Sequence, residues 1–143
     1  MSGALSSFGT LLQMGDGGAP EAFTTIAEVG DIAGPELSVD TEETTNHSSP
    51  GGYEEFIATI KRSGQVTFPI NFIPTDATHN QSTGVLAALK NRTLKNWRLV
   101  LTDAGPSRWQ FAALVTGFSG ASPVVGKQSA EITLKISGEP VLV

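Results

Sequence analysis

Gln128-Ser129-Ala130-Glu131-Ile132-Thr133-Leu134-Lys135-Ile136-Ser137 alternates without a break: Ala130, Ile132, Leu134 and Ile136 on one side, Ser129, Glu131, Thr133 and Lys135 on the other. A period of two puts one face of a strand in a core and the other in water, the mark of an antiparallel sheet. Gln65 to Ile73 repeats the pattern, with Val66, Phe68, Ile70 and Phe72 inward, and Pro69 marks an edge or a bulge. Asn96–Thr102 sets Trp97, Leu99 and Leu101 on one face, and Ser107–Phe118 does the same with Trp109, Phe111, Ala113 and Val115. Shorter strands are expected at Thr10–Met14, Phe23–Val29 and Glu54–Ile60, with turns at Gly15–Pro20, Asp31–Pro35, Lys61–Gly64 and Asp103–Pro106. One helix is expected, capped by Ser82 or Thr83 and running to Asn91, with Val85, Leu86 and Leu89 as its apolar stripe. About seven strands and one helix read as a mainly β domain: two packed antiparallel sheets, sandwich- or barrel-like, with one flanking α-helix.

Glu36 to Thr45 also alternates. Leu37 and Val39 fall on the face expected to be buried; Glu36, Ser38, Asp40 and Glu42 fall on the other. The exposed face would carry three carboxylates about 7 Å apart, with no base in the segment. These acids belong to a wider asymmetry. The first sixty residues hold ten Asp and Glu and no Lys or Arg, whereas Lys61 to Val143 holds nine bases and four acids. Charge sorted along a chain need not be sorted in space, but it suits a channel wall that must reject anions or an acidic face meeting a basic one.

The 143 residues fit one domain, with the first nine as an arm and the last five as a tail. There is no cysteine, so disulfides and thiolate chemistry are excluded. No apolar run approaches the roughly 18 residues of a membrane span, and the opening MSGALSSFGTLLQ lacks a basic n-region, so it is not expected to be a signal peptide. A pI near 4.9 disfavours nucleic-acid affinity. His47 and His79 are expected as solvated loop histidines without the partners of a zinc site. Asp16 among glycines fits a plain turn. Glu54 and Glu55 point to opposite faces, and Ser48 and Ser49 beside His47 lack a nucleophile turn. Trp97 and Trp109 fit core burial better than sugar stacking. No catalytic, cofactor-binding or metal-binding set is found.

Gly15-Asp16-Gly17-Gly18-Ala19-Pro20-Glu21-Ala22-Phe23-Thr24-Thr25-Ile26-Ala27-Glu28-Val29, followed by Asp31–Pro35, resembles the opening of major tail tube proteins of long-tailed, siphophage-type bacteriophages. The resemblance continues through Thr45–Ser49, Gly52–Ile57, Asn71–Asp76 with His79, and Ala130–Pro140, in order along nearly the whole chain. Some relatives carry a further immunoglobulin-like domain that is not expected here.

The resemblance implies a non-enzymatic structural virion protein without cofactors. Such proteins form hexameric rings that stack head-to-tail into a hollow tube, with one sheet per subunit joined into a barrel around the lumen. The implied partners are further copies of the chain, the tape measure protein, and tail terminator and tip proteins. DNA passes through without specific binding, and there is no membrane insertion. The implied location is the virion tail, with the host cytoplasm during assembly. Mapped here, Glu36, Ser38, Asp40 and Glu42 would face the lumen and repel DNA. The long Glu43–Tyr53 loop would reach a neighbouring subunit or ring, through Glu43, Asn46, His47, Ser48 and Tyr53, with Lys61 and Arg62 also at contacts. A secretion-system inner tube protein of the same fold is the alternative, and a monomeric carbohydrate-binding β-sandwich the more distant one.

Overall fold

A computed structural model describes residues 2–143, and in it Val66, Phe68 and Ile70 are all sealed from solvent, as the alternation of their strand demands. The elements in order are β1 (Leu11–Gly15), β2 (Phe23–Thr25), β3 (Ser38–Glu43), β4 (Phe56–Arg62), β5 (Gln65–Asn71), α1 (Val85–Lys90), β6 (Lys95–Val100), β7 (Arg108–Ala121) and β8 (Ser129–Leu142). The protein is mainly β, with two antiparallel sheets and one α-helix, as expected. Six strands form one sheet in the order β2-β1-β6-β7-β8-β5, and β3 and β4 form a separate two-stranded ribbon.

β7 and β8, 14 residues each, are the spine of the larger sheet. Their pairing slips between Gln110 and Ala112 and again between Val115 and Gly117. Such bulges bend a strand pair and increase its twist. The first half of β7 pairs with β6 and the first half of β8 with β5, so the bent pair serves two halves of the sheet. One face of the sheet holds the core: Leu12, Trp97, Leu99, Phe111, Ala113, Ile132, Leu134 and Ile136 join Val66, Phe68 and Ile70. Val85 and Ala88 of α1 close it, with Ile26 from the loop after β2. A helix of six residues does not persist in water alone, so α1 exists because it is packed there.

Several boundaries differ from expectation for local reasons. The helix begins at Val85 because Asn80 Oδ1 already accepts the N–H groups of Ser82, Thr83 and Gly84, which shapes a turn ahead of it. Leu86 and Leu89 are only half-buried, and Ala87 and Ala88 take the inner positions. Glu139 to Leu142, expected as a tail, continue β8, with Gln110 opposite Val141 and Trp109 opposite Leu142. Lys61 and Arg62 end β4 and leave the turn to Ser63 and Gly64. Pro69 sits on the edge strand, where its carbonyl accepts the Gly30 N–H.

His79 overturns its expectation as a solvated residue: it is wholly buried. Its Nε2 lies 2.7 Å from the carbonyl of Ala27 and its Nδ1 accepts the N–H of Ile73. That pairing fixes the neutral ring as the Nε2–H tautomer and ties together two loops 52 residues apart.

Candidate functional site

The register of the ribbon continues that of the body. Val29 bridges Ile70, Ala33 bridges Thr67, Ser38 pairs with Arg62 and Glu43 with Phe56. One long antiparallel hairpin therefore runs from residue 29 to residue 70. Its near half lies along β5 at the edge of the main sheet, and its far half overhangs as β3–β4. At the base, Gly64 has a positive φ of 69°, and a Cβ there would collide with the carbonyl of Glu36.

The overhanging half touches no core. Leu37 and Val39, expected inward, are 54% and 49% exposed, and Phe56, Ile57 and Ile60 on β4 are exposed by half or more. The period-two pattern is real, but nothing in the same chain covers its apolar side. A bulge between Val39 and Thr41 shifts the alternation midway along the ribbon.

The tip is ordered by its own polar groups. Asn46 Oδ1 accepts the Ser48 N–H, Ser49 Oγ accepts the Asn46 N–H, and the Ser49 hydroxyl donates to Glu55. Thr45 donates its hydroxyl to Glu43 and accepts the Glu55 N–H. A single turn of 3-10 helix, Pro50–Gly52, completes it. His47 and Tyr53 stand exposed beside it.

The two residue groups singled out in the sequence thus lie on one element. Glu36 sits at the ribbon base; Ser38, Asp40 and Glu42 run along β3. Glu43, Asn46, His47, Ser48 and Tyr53 form the tip, and Lys61 and Arg62 end β4. Asp40 is not a free carboxylate: Arg62 Nε approaches Oδ1 at 3.1 Å and Oδ2 at 2.9 Å, and Nη2 reaches Oδ2 at 2.8 Å. The hydrogen bonds from Arg62, with its charge, hold the Asp40 carboxyl below the usual carboxylate range. Both side chains are well exposed, so the pair fixes ribbon geometry more than it adds stability. Glu36 and Glu42 are left as the uncompensated acids of that face.

Sequence reasoning passed over a second surface, on the face of β1, β6 and β7 opposite the core. Arg98 pairs across to Gln13 and Gln110, and Val100 to Arg108, so both arginines lie opposite the Trp97–Leu99 face. The Arg98 guanidinium lies 3.8 Å from the centre of the Phe23 ring. An open hollow of about 620 Å³ surrounds it, walled by Pro20, Phe23, Gln110, Ala112 and Val141. The signal was present: Arg98 alternates with Trp97 and Leu99, the strongest core residues of β6. Among the described residues, no three His, Cys, Asp or Glu side chains stand together in a metal-holding group.

No family model matches the chain, and no curated protein matches it. Solved structures do. The tail of an empty gene transfer agent particle, refined with C6 helical symmetry, shares 18% identity at a TM-score of 0.77, covering 98% of this chain and 99% of that one. The sheath/tube terminator structure of an extracellular contractile injection system in its extended state gives a TM-score of 0.74 at 16% identity, over 100% and 99%. The six-fold-symmetrised baseplate of the anti-feeding prophage gives 0.72 at 10%, over 100% and 97%.

The protein has the fold of tail tube proteins. The structures that share it come from gene transfer agent tails and contractile injection systems, so the siphophage-type expectation was narrower than the fold supports.

Proposed function

We propose that this chain is a self-assembling tube subunit, stacking in six-fold rings into the hollow tail of a phage-like particle. The observation that carries the reading is the β3–β4 ribbon, an ordered hairpin whose apolar side chains find no cover in their own chain. Exposed apolar strands with open edges invite a partner strand, and a repeating assembly supplies one for every copy. End-to-end likeness to a chain of a C6 tail supports six as the ring number.

In this reading the ribbon tip, with Glu43, Asn46, His47, Ser48 and Tyr53, reaches a neighbouring subunit, and Lys61 lies at the same contact. Arg62 acts within its own chain, positioning Asp40. Glu36 and Ser38 line the channel together with the paired Asp40, while Glu42, opposite Ile57 near the tip, faces the neighbouring subunit. A wall without free bases lets a polyanion slide, because no counterion release favours its binding. The tape measure, terminator and tip proteins are the remaining expected partners, and the virion tail the expected location. The role is structural, not catalytic.

A contractile injection tube is the second reading, favoured by the injection-system structures that match over the full chain. The sugar-binding sandwich loses its platform: Trp97 is fully buried and Trp109 packs against the core. Negative-stain microscopy and sedimentation of concentrated protein test the proposal. Rings or tubes with a central channel are expected; a strictly monomeric species in every condition and inside assembled particles would sink it.

A further inference from the structure

The ribbon and the arginine hollow lie on different parts of the molecule. The ribbon extends the hairpin beside β5, the last strand in the order β2-β1-β6-β7-β8-β5. The hollow opens over β6, β7 and the Phe23 end of β2. Within the chain no ion pair joins the two among the described residues.

Arg98 lines the hollow and Arg108 lies beyond Gln110 on the same face of β7, and each has an unsatisfied donor. Nε of Arg98 and Nε of Arg108 are shielded from solvent and have no hydrogen-bond partner among the described residues. Among the described residues the one ion pair is Arg62–Asp40 on the ribbon, so neither Arg98 nor Arg108 forms an ion pair with a described carboxylate. Glu21, which also lines the hollow, is already engaged: its carboxylate accepts the Gly17 N–H and the Asn96 side-chain amide, each at 2.9 Å. A shielded guanidinium Nε without an acceptor is costly, and a carboxylate is the acceptor that best suits it.

The ribbon offers what the hollow lacks. Glu42 and Glu54 make no side-chain hydrogen bond or ion pair among the described residues, and exposed Tyr53, Phe56 and Ile57 lie beside them. From Thr41 to Ile60 the hairpin carries four acids and no Lys or Arg. Apolar walls with two guanidinium groups match an apolar strand with free carboxylates. A phosphate backbone fits less well, because two arginines on a chain of net charge −5 fall short of the basic cluster that phosphates need.

We infer that the hollow around Arg98 and Arg108 receives the acidic tip of the β3–β4 ribbon from a second copy of this chain, a deepening that rests on the tube-subunit reading above. Donor and acceptor are different patches of the same subunit, so the contact is head-to-tail and repeats without limit unless a ring closes it.

Reciprocal charge exchange tests this. The doubly substituted R98E/R108E protein and the E42R/E54R protein should each fold, by circular dichroism, and each should need about tenfold more protein, or worse, to assemble. An equimolar mixture should assemble at the wild-type concentration, because every ribbon then meets a hollow of opposite charge. R98Q/R108Q, which removes charge without reversing it, serves if the reversal unfolds the sheet. Assembly of either arginine variant at the wild-type concentration, or no rescue on mixing, overturns the pairing while leaving the tube reading intact. Binding of a labelled 20-mer duplex that is lost in R98Q/R108Q, with assembly unchanged, overturns it in favour of nucleic acid. A wild-type protein that never assembles fails the tube reading itself, and this inference with it.

Discussion

Arg62 grips the carboxylate of Asp40 across the ribbon with three contacts of 2.8 to 3.1 Å, although 22 residues separate them. The relationship joins a residue expected to face a channel to one expected at a subunit contact. It makes the ribbon a shaped arm with its own internal brace. It also removes one of the three carboxylates from the free negative charge of β3.

The brace has a pH signature. The folded Asp40 carboxyl is depressed below its ordinary 3.8, chiefly by the Arg62 hydrogen bonds. A depressed acid contributes above the unfolded value and loses its contribution as pH falls through the folded one. The pair is therefore complete at neutral and mildly acidic pH and opens only below the ordinary carboxylate range. Titration of the Asp40 carboxyl carbon by NMR should give a midpoint under 3.8, and R62Q should raise it.

His79→Ala should destabilise the monomer by about 2–4 kcal/mol, measured by urea unfolding. The loss combines an empty buried site with two stranded backbone groups, the Ile73 N–H and the Ala27 carbonyl. A change within error would mean that the ring is not the tie between these loops.

Gly64→Ala should cost about 1–3 kcal/mol, because the residue needs its positive φ and an added Cβ meets the Glu36 carbonyl. The damage falls at the junction of ribbon and body. Hydrogen exchange in β3 and β4 should rise more than in β7 and β8.

For the channel, Glu36→Lys is a cleaner probe than any change at Asp40 or Glu42, since it leaves the Arg62 pair intact and lies outside the ribbon tip that meets a neighbour. Particles carrying it should assemble and eject DNA more slowly. Ejection at the wild-type rate in assembled particles would refute repulsion by this face.

Much of the fold was legible in the residues themselves. The alternation in β5 and β8 named the buried set correctly, from Val66, Phe68 and Ile70 to Ala130, Ile132, Leu134 and Ile136. The same rule misread Leu37 and Val39. Alternation reports that one face is apolar, and it does not say whether the cover comes from the same chain. The Asp40–Arg62 pair was illegible because it depends on strand register, which a bulge shifts by one residue between Val39 and Thr41. His79 lay in a polar stretch and read as solvated, since its partner Ala27 is remote in sequence. The arginine hollow went unseen because each arginine alone reads as an ordinary outward residue; only the pairing of β6 with β7 makes them neighbours.

Phe56→Ser with Ile57→Ser separates folding from assembly. Neither side chain belongs to the core, so monomer stability should change by no more than about 0.5 kcal/mol for each substitution. Sedimentation should nevertheless show the assembled species lost. Equal loss of both would place these residues in the fold instead.

The most direct measurement is a helical cryo-EM reconstruction of the assembled protein. The account predicts six-fold rings around an open channel, with Phe56 and Ile57 covered by a neighbouring subunit and Glu42 and Glu54 within reach of that neighbour's arginines. A reconstruction in which the β3–β4 ribbon projects into solvent with its apolar side chains still bare would contradict it.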